Sequence, residues 1–368
     1  MQLLPHSKPK ATTEQLQTAL QDIAHKLEIQ SHHYISHPDY KPLELPPEVI
    51  ARFQKLPSDV QSKYLNLQLR NFLYGIYYNA SLKRVLTLDT ETTNLELNNN
   101  LENNTFLGVD VEFYNRLHQS NSGEGYFSLN WQVVREEADG TLAVHKEGLT
   151  LHIERDRHLQ PQDQSANTGD LVAIKMPKNL VQNGFYMAVG NQRTNHRSDR
   201  DNNTVRVYFN LTPEGSVVLM GSITAQLNAI PISFDYKTLY NPQDYGRYDS
   251  GVLYFDKHNY QNVHPVLEKI YREHQSHFQP EVPLFTKQIA PGLAIAEEPN
   301  RKFADRESFG QNRCQIVANG LLEAWHQGND SPENRMALIR KHFDLQKIDW
   351  QRPYLNPRSE DIYRELKL

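Results

Sequence analysis

The segment Val205 to Gly215, VRVYFNLTPEG, constrains the fold more than any other stretch of the chain. Val205, Val207, Phe209 and Leu211 alternate with Arg206, Tyr208 and Asn210. Successive side chains of a strand point to opposite faces. This run is therefore a strand with one apolar face and one face carrying a cation, a phenol and an amide. Thr212 and Pro213 follow at once, a hydroxyl suited to an N-cap and a proline suited to a first helical position. Val217, Met220, Ile223 and Leu227 then give the helix an inward stripe. A strand leading directly into an amphipathic helix calls for a sheet with helices packed on it.

The flanking sequence fits that picture. Short β-rich runs stand at Phe127 to Val134, Leu142 to Val144, Leu149 to Ile153, Leu171 to Met176 and Gly184 to Val189, and again at Ile232 to Thr238 and Ser250 to Phe255. Ala138-Asp139-Gly140-Thr141 is a hairpin signal. Val263, Val266, Leu267 and Ile270 mark a helix. Ser308 and Gln311 have the spacing of a capping box. The helix they open carries Cys314, Val317, Ala318, Leu321 and Trp325 on one face, with Arg313 off that stripe. Upstream, Leu16, Leu20, Ile23 and Leu27 recur at helical spacing, as do Leu65, Leu69, Phe72, Leu73 and Ile76, and PPEVIARFQKL starts with prolines suited to a first turn. The expected fold class is α+β, a helical N-terminal part followed by a mostly antiparallel sheet with helices on one side. The expected divisions are a helical region over 1–86, a polar Asn-, Thr- and Glu-rich linker or loop over 87–104, and an α+β domain over 105–368.

Two further segments bring chemistry to the same region. SFDYKTLYNP contributes Lys237, and YGRYDSGVLYF contributes Arg247, Asp249 and Tyr254. Two Arg, one Lys and two Tyr form a set suited to gripping a phosphate and moving a proton beside it. Competing readings stay open. Arg206, Tyr208 and Asn210 also suit the solvated face of a half-covered sheet. Lys237 also suits edge protection, and Tyr254 a core position. Asp249 suits orienting a neighbouring Arg, and Arg313 suits a bridge to Glu297 or Glu298.

Other classes of function find little support. The net charge of −5, with no compensating basic stripe, argues against a nucleic-acid binder. A single cysteine, Cys314, excludes an intramolecular disulfide and any multi-cysteine metal cluster. The His32/His33 and His274/His277 pairs match no zinc spacing. Neither G-x-x-x-x-G-K-[ST] nor G-x-G-x-x-G occurs, so no nucleotide site and no cofactor is expected. No apolar run approaches the roughly 20 residues of a membrane helix. With no secretory signal in MQLLPHSKPK, a soluble cytoplasmic protein is expected, with no membrane and no nucleic-acid partner.

Six ordered motifs between about Phe113 and Trp325 carry a family resemblance: FYNRLHQSNSGEGYF, GFYMAVGN, VRVYFNLTPEG, YGRYDSGVLYF, VPLFTKQIAPGLAIAEEP and SFGQNRCQIVANGL. The chain resembles the HopA-type effector family, whose relatives also occur in pathways that make modified peptides such as lanthipeptides and thioamide-containing peptides. The resemblance implies a fold similar to the phosphothreonine lyases. It implies removal of phosphate from phosphoserine or phosphothreonine of a ribosomally made precursor peptide, giving a dehydroamino acid. It also implies a partner kinase resembling aminoglycoside phosphotransferases to install the phosphate. In that more distant likeness Lys237 matches the general base, and Arg206, Arg247 and Arg313 match phosphate ligands. Where the lyases carry an acid His, this chain has Tyr208, which leaves the proton donor open between Tyr208 and Tyr254. Asn210 and Asp249 would support them, and no metal is implied. The alternatives are a phosphopeptide- or leader-peptide-binding protein without chemistry, or a host-interacting effector.

Overall fold

A computed structural model describes residues 12–88, 108–193 and 203–368. It shows the expected α+β class, with differences in both halves. The N-terminal part holds α1 (Thr12–Lys26), α2 (Pro47–Phe53), α3 (Ser58–Phe72) and the short α4 (Lys83–Leu86). Leu16, Leu20, Ile23 and Leu27 are buried as their spacing predicts, and Leu65, Leu69 and Phe72 do the same for α3. This part is not helical throughout. Between α1 and α2 stand β1 (Glu28–Ser31), β2 (Tyr34–His37) and β3 (Tyr40–Glu44), an antiparallel three-stranded sheet. Each of these strands holds only one or two β-branched or aromatic residues, a weak strand signal. The expected linker over 87–104 lies outside the described residues except for its first two positions.

After α5 (Val111–Ser120) comes a four-stranded antiparallel sheet ordered β6-β5-β4-β7, made of β4 (Tyr126–Glu136), β5 (Leu142–Lys146), β6 (Leu149–Ile153) and β7 (Leu171–Met176). Its Asp139-Gly140 turn is as read. Asp139 accepts from the Thr141 N–H and hydroxyl, and Gly140 takes φ +84°. The sheet has a small core of its own, around Trp131, Val133, Val144 and Ile174. The short α6 (Arg155–His158) lies against it.

The main sheet has seven strands: β8 (Asn179–Gln182), β9 (Phe185–Val189), β10 (Thr204–Phe209), β11 (Phe234–Leu239), β12 (Gly251–Asp256), β13 (Lys287–Ala290) and β14 (Leu293–Glu297). Their order is β13-β14-β10-β12-β11-β9-β8, and all neighbours are antiparallel. Residues directly opposite in an antiparallel pair share a face. Arg206 is opposite Tyr254, Tyr208 opposite Val252, and Val252 opposite Lys237. Arg206, Tyr208, Tyr254 and Lys237 therefore lie on one face, while Val205, Val207, Phe209 and Tyr236 lie on the other.

Helices cover both faces rather than one. α7 (Pro213–Asn228), opened by Thr212 capping the Gly215 N–H, and α8 (Tyr260–His274) pack on the apolar face. There Thr238 of β11 bonds Ser216 of α7 at 3.0 Å. On the polar face Tyr208 packs against Phe309, at the start of α9 (Phe309–His326), and against Tyr78 just beyond α3. The capping box of α9 is complete, Ser308 and Gln311 each bonding the other's backbone N–H. α10 (Pro332–Leu345) packs along α9. The second cover explains why the polar face is not solvated: Tyr208 and Asn210 are buried, and Arg206 nearly so.

Candidate functional site

The polar face of the main sheet carries a row of cations laid over aromatic rings. Arg206 has its guanidinium carbon 5.1 Å from the centre of the Tyr254 ring, its cross-strand partner. The Lys237 ammonium is 5.7 Å from the same ring and 4.3 Å from that of Phe185. The Arg247 guanidinium carbon lies 5.9 Å from the centre of the same Phe185 ring. Two rings thus hold three cations. β11 sits between β12 and β9, so Lys237 is not an edge residue; it is 4% exposed and points inward. A cation near a ring face is attracted by its quadrupole, and more strongly when desolvated.

Carboxylates fix both arginines. Glu298 pairs with Arg206 and also with Lys302, the latter at 2.8 Å. Burial would raise the Glu298 carboxyl, but the Arg206 and Lys302 charges outweigh it and hold the carboxyl below its ordinary range. Asp249 takes the Nε–H and Nη2–H of Arg247 at 2.6 and 3.0 Å, a bidentate pair that sets the plane of the guanidinium. Asp249 therefore orients Arg247.

The remaining candidates are placed differently. Tyr208 is buried with no well-formed hydrogen bond to its hydroxyl; Tyr78 stands beside it, ring centres 6.4 Å apart. Burial raises its pKa, and the opposing pull of Arg206 is not enough to reverse this. Asn210 donates from its side chain to the Glu281 carbonyl, and its backbone bonds Gln279 and Gly292. It ties the end of β10 to the 275–292 segment and does not reach the cation row. Arg313 is fully buried and donates to the carbonyls of Pro353 and Leu355 and to the Asn312 side chain. Burial pushes its pKa down to about 10, against the pull of Glu307 and other acids. The expected bridge from Arg313 to Glu297 or Glu298 does not form. Glu297 instead accepts from Lys257, Ser359 and Tyr363, and Glu298 takes Arg206. Arg313 therefore anchors the C-terminal segment. The structure brings together Arg206, Lys237, Arg247, Asp249 and Tyr254, with Tyr208 beneath them.

Several contributors were not read from the sequence. Phe185, in GFYMAVGN, is the platform shared by Lys237 and Arg247. Glu298, in AIAEEP, is the counter-ion of Arg206. Arg193 stacks on Tyr126 at 4.6 Å and pairs at 3.8 Å with Asp235, the register partner of Tyr254. The basic residues Arg193 and Arg197, close together in the sequence, are the one signal for it. A cleft of about 300 Å³ reaches Phe185 and Arg247, between Ala80 to Leu82 and Val85 on one side and Leu239 and Gln243 to Gly246 on the other. Among the described residues no group of His, Cys, Asp and Glu is arranged to hold a metal ion, and no helix is long and apolar enough to cross a membrane.

The fold and site define an α+β protein with a buried, cationic, aromatic-walled centre on the covered face of an antiparallel sheet. Residues 176–355 match the HopA1 effector protein family, as the ordered motifs lead one to expect. That stretch contains all seven strands of the main sheet and every candidate residue from Arg206 to Arg313. Among solved structures, the effector protein from Pseudomonas syringae pv. syringae strain 61 aligns with 95% of this chain and 100% of its own, at 14% identity and a TM-score of 0.46. The effector protein from Pseudomonas syringae pv. tomato strain DC3000 aligns with 67% of this chain and 80% of its own, at 17% identity and a TM-score of 0.39. No curated protein matches the chain.

Proposed function

We propose that this protein is a phospholyase that removes phosphate from phosphoserine or phosphothreonine of a ribosomally made peptide by β-elimination. The observation that carries the reading is the placement of Lys237. It is buried, and it stands over the two rings that also carry Arg206 and Arg247. A base and two guanidinium groups on one sheet face are what the elimination requires.

In the proposed step the Lys237 amine takes the α-proton of the phosphorylated residue. The C–H electron pair forms the Cα=Cβ bond, and the Cβ–O bond breaks with its electrons leaving on phosphate. The products are a dehydroamino acid and inorganic phosphate, and no oxidant or water enters. A lysine serves as base only as the neutral amine, a form that burial and neighbouring cations favour. Arg247, its guanidinium plane oriented by Asp249, and Arg206 offset the charge growing on the leaving oxygen. The second phosphate pKa is about 6, so a neutralised phosphate leaves with little protonation. Tyr254, half-buried between Arg206 and Lys237, is better placed to supply a proton than the deeper Tyr208. A partner kinase resembling aminoglycoside phosphotransferases would install the phosphate.

Lys237→Ala tests the assignment. Loss of a general base lowers turnover about 10²–10⁴-fold, while binding of the phosphopeptide, carried by the arginines, should change by no more than a few-fold. Normal elimination by Lys237→Ala would remove Lys237 as the base. Wild-type protein that binds the phosphopeptide and leaves it intact would point to recognition without chemistry.

A further inference from the structure

Beyond α3 the helix widens into a π-helical turn, Leu73–Tyr78, and the chain then leaves it through Asn79 and Ala80. Single π turns inside helices mark places where a side chain has been moved out of helical register, often for function. Here the shift places Tyr78 against Tyr208 and aims Asn79 at the Arg247–Asp249 pair. Asn79 is fully buried and bonded on every side. Its N–H donates to the Tyr74 carbonyl five residues back, and its carbonyl accepts from Tyr248 at 2.9 Å. Its Oδ1 accepts from the Ser81 N–H at 3.0 Å, and its Nδ2 donates to both oxygens of Asp249 at 3.3 and 3.4 Å. Gly75 lets the turn close, since a Cβ there would meet Leu82 at 2.4 Å. Ala80 takes φ +62°, a left-handed conformation uncommon outside glycine. It starts the short segment that walls the cleft beside Arg247.

We propose that Asn79 is a positioning residue for the phosphate-gripping Arg247, acting through Asp249, so that the N-terminal region builds part of the site. This rests on the phospholyase reading of that site. Asp249 accepts from Arg247 and from Asn79 together. The contact is also long-range in sequence, joining residues 170 positions apart. The N-terminal region, through Asn79, therefore helps hold one of the three cations in place.

The test is binding of inorganic phosphate to the full chain by calorimetry, with wild type, Arg247→Ala, Asn79→Ala, Asn79→Asp and the Asn79→Ala/Arg247→Ala double variant. Arg247→Ala is expected to weaken phosphate binding at least tenfold, and Asn79→Ala about five- to tenfold. In the double variant the Asn79 substitution should add nothing, since its effect passes through Arg247. Asn79→Asp sets two carboxylates against each other, and such a pair holds a shared proton. Its deficit relative to wild type should therefore shrink as pH falls from about 8 to about 5, while that of Asn79→Ala stays constant. A merely structural role would show no such recovery. Asn79→Ala that binds phosphate like wild type, or weakens it equally with and without Arg247, would overturn the inference and leave the site reading intact. No phosphate binding by wild type, or none lost in Arg247→Ala, would overturn both. Should Asn79→Ala fail to fold, the pH-dependent recovery of Asn79→Asp decides alone.

Discussion

Glu298→Gln separates the two tasks of the Arg206 site. The side chains of Glu298 and Arg206 are 8% and 11% exposed, so the ion pair is largely removed from water. Removing one partner of a buried pair leaves the other charge uncompensated, at a cost of about 3–5 kcal/mol. Lys302 also loses its 2.8 Å partner but is more exposed, at 23%, and adds little. The loss should therefore lie near the lower end of that range, about 3 kcal/mol. The pH dependence has a definite sign. The Glu298 carboxyl is held below its ordinary value, so near that value the unfolded chain binds more protons than the folded one, and stability rises with pH. The contribution is complete above the unfolded value of about 4.3 and is lost as pH falls through the lower folded value. Urea unfolding of wild type and Glu298→Gln would show a gap that is constant at neutral pH and narrows below about 4. Replacing both partners, Arg206→Met with Glu298→Leu, should cost less than Glu298→Gln alone, because no buried charge is stranded. Binding offers a second readout. With the carboxylate gone, inorganic phosphate should bind more tightly, while turnover falls because Arg206 is no longer oriented. A Glu298→Gln protein within about 0.5 kcal/mol of wild type at neutral pH would refute the reasoning and show the pair to be solvated.

Three smaller predictions follow from the same geometry. Tyr208→Phe removes a buried hydroxyl that has no well-formed hydrogen bond, so stability should hold within about 0.5 kcal/mol or rise; a fall in turnover of more than about 100-fold would make Tyr208, rather than Tyr254, the proton donor. Arg313→Leu strands the carbonyls of Pro353 and Leu355 and should cost about 2–5 kcal/mol in denaturant while leaving phosphate affinity unchanged; a selective loss of phosphate binding would return Arg313 to the site. Ser308→Ala breaks the capping box of α9 and should lower stability by about 1 kcal/mol, with Ser308→Asp recovering most of it.

The sequence was informative where a period or a cap could be seen. The alternation of β10, the Thr212-Pro213 start of α7, the Ser308 box and the Leu16–Leu27 stripe all correspond to elements of the structure. β1 to β3, β8, β13 and β14 were not legible, because each holds only one or two β-branched or aromatic residues, a weak strand signal. The alternation of β10 identified its two faces but not their cover. A second layer, from α9 and the turn after α3, buries what one strand alone presents as a solvated face. Cross-strand register placed Arg206 and Tyr254 together, information that no single segment holds. Arg313 shows the opposite limit. Its position off the apolar stripe of α9 fitted a ligand role, yet its hydrogen bonds go to a C-terminal segment about 40 residues away, which no local pattern announces. The counter-ions Glu298 and Asp249 were visible as residues, but only three-dimensional contact assigns each to its arginine.

The most direct test of the account is the product formed from a phosphothreonine peptide, read by mass spectrometry with a thiol added after the reaction. Elimination predicts loss of the phosphate together with its ester oxygen, release of inorganic phosphate, and a dehydro residue that then takes up the thiol. Recovery of free threonine in the peptide would mean hydrolysis, in which the Cβ–O bond survives, and would contradict the assignment of Lys237, Arg206 and Arg247 as the base and phosphate clamp of a lyase.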